Sequence, residues 1–101
     1  VILGGEGRLR FGGEEYAVVA GDVVVCPAGG PETAHQLIAS GEEPLRYLAI
    51  STMKEPDVLE YPDSGKIAIF AGSAPGGEKA FRRLDLTVKA SAAVGYWEGE
   101  A

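Results

Sequence analysis

Gly21-Asp22-Val23-Val24-Val25-Cys26-Pro27-Ala28-Gly29-Gly30-Pro31-Glu32-Thr33-Ala34-His35-Gln36-Leu37-Ile38-Ala39 is the most informative stretch of this 101-residue chain. Asp22 to Cys26 carries three successive valines and is expected to be a strand. Pro27 ends that run, because proline has no N–H to give to a ladder. Pro27 to Thr33 is dense in Pro and Gly and reads as a loop, and Ala34 to Ala39 reads as the next strand. Side chains alternate along a strand, so His35, Leu37 and Ala39 share one face. His35 is the only histidine in the chain. An imidazole on such a face can bind a metal through one nitrogen while an acceptor holds the other.

Working outward, Ala20-Gly21-Asp22 is a turn, and Glu15 to Val19 is the return strand of a hairpin. Its partner is Arg8-Leu9-Arg10-Phe11, where polar and apolar residues alternate. Gly12-Gly13 between them is a two-glycine hairpin signal. Val1-Ile2-Leu3 reads as the end of a strand running into Gly4-Gly5-Glu6-Gly7. A strand that starts in mid-run predicts sequence upstream, so the chain is read as a fragment, or as a mature chain lacking its start. On the other side, Ser40 to Pro44 is a turn. Leu45 to Ser51 is apolar on both faces, which places it between two layers or at a subunit interface and predicts a homodimer. Asp57 to Tyr61 is a short strand or an extended segment. Pro62-Asp63-Ser64-Gly65 is a turn, and Lys66 to Ala71 a strand.

Residues 72–80 form a Gly/Pro-rich loop. The tail 81–101 carries Leu84, Leu86 and Val88 in alternation and then Tyr96-Trp97. Trp97 is expected to dock on the rest of the domain or on a partner subunit. Short apolar runs at 8–12-residue spacing, punctuated by fifteen glycines and six prolines, indicate an all-β sandwich or barrel. The length suits a single domain over 1–101, with its core in 1–71.

Composition narrows the function. The net charge is -6, with nine basic residues against fifteen acidic ones. The longest basic run is Arg82-Arg83, which argues against nucleic acid and anionic membranes as partners. One cysteine excludes an internal disulfide and a Cys-rich zinc site. With no membrane-length apolar run and no visible signal peptide, a soluble, cytoplasmic protein is the default expectation. Cys26 has no second histidine to activate it and is read as a buried small hydrophobe. Gly72 to Gly77 lacks the Gly-Lys-Ser/Thr ending of a phosphate loop. Glu14-Glu15 and Glu42-Glu43 flank turns and read as solvated surface charges.

The segment from Gly21 to Ala39 resembles the second cupin motif, G-x5-P-x-G-x2-H-x3-N. Gly21, Pro27 and Gly29 match its spacing. His35 matches after a loop of five residues instead of two, and Ala39 occupies the asparagine position. Val1 to Gly7 looks like the end of the first cupin motif, whose two histidines and glutamate would lie before it. Glu43-Pro44-Leu45-Arg46-Tyr47-Leu48 resembles the strand after the second motif. Tyr96-Trp97-Glu98-Gly99-Glu100 resembles the ending of small single-domain cupins of the conserved-barrel type.

The resemblance implies an all-β double-stranded β-helix, the cupin jelly-roll barrel, incomplete at its N-terminal side. It also implies His35 as a ligand to one divalent metal (Zn, Mn, Fe or Ni), and a small polar molecule bound in the barrel beside pocket candidates Tyr16, Tyr47 and Leu37. The chain itself offers one histidine, whereas a metal site needs three or four donors. The alternatives are a metal-free small-ligand-binding or sensor module and a purely structural dimer module. No catalytic residue is assignable, since this fold hosts many chemistries.

Overall fold

The computed structural model describes residues 1–100. The described residues are all-β, with eight strands joined by loops and three short 3-10 turns. No helix among them is long and apolar enough to cross a membrane. The chain forms two compact units, Val1–Ser51 and the part from Thr52 onward.

The first unit holds β1 (Ile2–Gly4), β2 (Glu6–Phe11), β3 (Glu14–Val19), β4 (His35–Ala39) and β5 (Arg46–Tyr47). They form a three-stranded antiparallel sheet, β3-β2-β4, and a two-stranded one, β1-β5. The β2–β3 hairpin turns on Gly12 (φ 57°) and Gly13 (φ 86°). Two successive positive φ angles are what a type I′ turn requires, and glycine reaches them without a steric cost. The register sets Leu9 opposite Tyr16 on one side and Leu37 on the other. Phe11 faces His35 on β4. On the opposite face the Arg8 guanidinium meets the Glu15 carboxylate at 2.8 Å. Both groups are about half exposed, so this pair adds less than about 1 kcal/mol.

Gly7 lies buried between Val18 and Ala39. A Cβ there would run into the Ile38 carbonyl oxygen and sit 2.8 Å from a Leu45 methyl. Ile2 is held on both sides. It faces Tyr47 on β5, its N–H donates to the Asp22 carbonyl at 2.9 Å, and its own carbonyl accepts from Gly21 at 2.8 Å. Ile2 is buried, at 2% exposed.

Two sequence expectations change here. Asp22 to Cys26 joins no ladder beyond its first residue, and Val23 and Val25 are 69% and 80% exposed. Valine favours extended backbone, but a strand also needs a neighbouring edge. The strand that Glu43 to Leu48 resembles is shorter than expected, with only Arg46–Tyr47 regularly paired.

The second unit is one antiparallel sheet, β6-β7-β8, built from β6 (Asp57–Tyr61), β7 (Lys66–Ala71) and β8 (Leu84–Lys89). The alternating Leu84, Leu86 and Val88 are therefore part of an edge strand. Arg82 fixes the approach to β8. Its guanidinium lies 4.9 Å over the Phe70 ring, donates to the Ser73 and Ala74 carbonyls at 3.3 Å, and meets Asp85 at 3.1 Å. Buried Ala68, Ala71 and Ala74 form the small core of this unit. Trp97 remains 74% exposed, its ring edge-on to Tyr96 at 4.8 Å.

Candidate functional site

The two sheets of the first unit enclose an open cavity of about 270 Å³. Leu9 on β2 and His35 and Leu37 on β4 form one wall. Ile2, Tyr47, Leu48, Ala49 and Ile50 come from β1, β5 and the segment after β5, while Val23, Val24 and Cys26 close the side. Strand pleating accounts for the first wall. Leu9 and Leu37 are register partners, and His35 is two residues before Leu37, so all three reach the same face.

The cavity wall is mostly aliphatic, with His35, Cys26 and Tyr47 as its polar side chains. His35 Nδ1 lies 3.4 Å from the Thr33 carbonyl oxygen. A proton on Nδ1 would donate to that oxygen and leave the Nε2 lone pair as the ring's acceptor. Cys26 is exposed, which corrects its reading as a buried hydrophobe. Its segment runs along the cavity rim instead of through a sheet. Partial burial of the sulfur against that wall still pushes the thiol pKa up, so the neutral thiol predominates at pH 7.

Three of the four sequence candidates, His35, Leu37 and Tyr47, meet in this cavity. Tyr16 does not line it. β3 is the far edge of its sheet, and the Tyr16 hydroxyl instead donates to the Glu14 carboxylate at 2.5 Å. That hydrogen bond, with the charge behind it, raises the phenol pKa. Sequence reasoning missed Leu9, Val23, Val24, Leu48 and Ile50 as wall residues. The signal for the last two was present: the run from Leu45 to Ser51 is apolar on both faces, and it spends part of that surface on the cavity.

The family model described as Cupin domain matches residues 1–51. This chain belongs to the cupin family. The matched region coincides with the first compact unit, so the cavity lies wholly within the cupin match. The antiparallel all-β sheets agree with the jelly roll of that family. No curated protein and no solved structure matches the chain.

The family resemblance implies a metal at His35, and the donor set tests that. Among the described residues, no group of three or more His, Cys, Asp or Glu side chains could hold an ion. The cavity offers one imidazole and one protonated thiol, with no carboxylate on its wall. Glu32, near in sequence, lies in a 3-10 turn, where its carboxylate accepts from the Gly30 N–H at 3.0 Å. Its own backbone N–H and that of Gly30 hold its pKa below the usual carboxylate range. These residues do not fit a metal site of three or four donors.

Proposed function

We propose that this cupin unit binds a small amphipathic organic molecule without a metal ligated by the described residues. The observation that carries the proposal is the cavity wall: nine aliphatic residues and three polar ones, His35, Cys26 and Tyr47, around about 270 Å³. Ligand pockets are largely apolar, with a few polar groups that fix orientation. This volume is near the lower end of the ~300–1,000 Å³ typical of such pockets, which suits one ring or a short chain. The apolar body would lie against Leu9, Leu37, Val23 and Ile50. His35 and Tyr47 supply a hydrogen-bond acceptor and donor for a carboxyl or hydroxyl end.

A thermal-shift titration with benzoate, butyrate and benzyl alcohol, with and without a chelator, tests the proposal. Ligand present at a hundred times its dissociation constant should stabilise the fold by about 2.7 kcal/mol, with or without chelator. Stabilisation that vanishes on chelation and returns with zinc or manganese would instead favour the metal reading, with His35 as a ligand. No shift with any of the three probes would count against this ligand class.

A further inference from the structure

We propose that β8 is a self-complementary edge through which two copies of this chain join, antiparallel, about a two-fold axis at Thr87. Among the described residues, β8 has β7 as its one neighbour in the sheet. The Ala90 N–H donates to the Gly65 carbonyl at 2.8 Å, one step beyond the facing pair Lys66 and Lys89. Facing pairs in an antiparallel ladder alternate between those that exchange hydrogen bonds and those that do not. Val88 and Leu86 therefore bond inward to Ile67 and Ile69 on β7. The backbone groups of Asp85, Thr87 and Lys89 point to the outer edge.

A second β8 placed against that edge can form a ladder only if outward groups meet outward groups. With the axis at Thr87, Thr87 faces its own copy, and Asp85, which also meets Arg82 of its own chain, faces Lys89 twice. Two bonds per facing pair give about six new hydrogen bonds. Moving the axis to Leu86 sets Lys89 against Arg83. Moving it to Val88 leaves Asp85 and Lys89 opposite the neutral Ser91 and Thr87. Charge thus selects one register among those that backbone geometry allows.

Two further observations favour this pairing. Within the chain Lys89 stands directly opposite Lys66, and like charges in that relation are unfavourable. The second copy brings a carboxylate to Lys89. On the other face, Leu84, Leu86 and Val88 are 39%, 42% and 39% exposed. In the chosen register Leu86 faces Val88 of the second copy, so the apolar strip runs on across the axis. Charged side chains on an edge ordinarily discourage pairing. Here the two charges are opposite in sign and symmetric about Thr87.

The test uses the full chain in sedimentation equilibrium. The unmodified protein is expected to be a dimer. Asp85→Lys and Lys89→Glu should each, alone, weaken association at least about tenfold, the equivalent of 1.4 kcal/mol. An equimolar mixture of the two variants should recover it, because each then faces its complement. A monomeric unmodified chain, single variants that dimerise undiminished, or a mixture of folded variants that fails to recombine would each overturn the proposal. Should circular dichroism show either variant unfolded, Thr87→Cys in a Cys26→Ser background decides. Facing Cα atoms about 5.5 Å apart allow a disulfide, so oxidation should give linked dimers. Linkage no greater than for Asp85→Cys in the same background would overturn the register.

Discussion

Leu9 and Leu37 face each other across the β2–β4 ladder, and both reach the cavity wall. Leu37→Trp is expected to fill the space and abolish probe-induced stabilisation while the fold persists. Leu37→Ala should enlarge the cavity at a modest cost. Fully buried leucines lose ~2–5 kcal/mol on truncation. Leu37 is only partly buried, so about 1–2 kcal/mol is expected. Urea unfolding measures the cost, and thermal shift the binding. Undiminished probe binding by Leu37→Trp would remove this cavity as the site.

Cys26 links solvent access to a suppressed thiolate. Its pKa is raised by partial burial, so at any pH below the folded value less thiolate forms than in the unfolded chain. Alkylation by iodoacetamide at pH 7 should therefore run slower in the native protein than in urea, since the thiolate is the nucleophile. The two rates should converge once the pH exceeds both pKa values. Bound ligand should slow the native reaction further, because Cys26 lines the cavity. Native alkylation faster than that of the unfolded chain would contradict this account.

Gly7 is a site of close backbone approach, with no room for a methyl between Ile38 and Leu45. Gly7→Ala is expected to cost about 1–3 kcal/mol in urea unfolding, the range for forcing atoms into a filled core. Gly95→Ala is the control. A Cβ there meets nothing within 4 Å, and the change should stay within about 0.5 kcal/mol. Equal effects at the two positions would show that backbone freedom, rather than the close approach, governs Gly7.

Local chemistry made much of this fold legible in the sequence. Gly12-Gly13 announced a hairpin, and its φ angles are those of the turn that two glycines favour. The run from Lys66 to Ala71 became β7. His35 sits on a cavity wall, where its motif and the alternation with Leu37 placed it. What failed depended on partners. The valines at 23–25 had strand propensity but no edge to join, and Cys26 followed them to the rim. Leu84, Leu86 and Val88 carried a clear period of two, yet only the ladder with β7 distinguishes a strand from a tail. Tyr16 shares a register row with Leu9, but pairing alone does not tell which end of that row the cavity occupies.

The double attachment of Ile2 also has a consequence in time. The β2–β3 hairpin closes over a few residues, an event of about 1–10 μs in isolated hairpins. Ile2 must instead find Asp22 and Tyr47, the second of them nearly half the chain away, and distant closures carry the larger entropic delay. The hairpin is thus expected to form early and the cavity late, with pulse-labelled exchange protecting the Leu9 amide before that of Ile2. A ligand would then meet a receptive wall only at the last stage of folding, when Ile2 is stitched between its two distant neighbours.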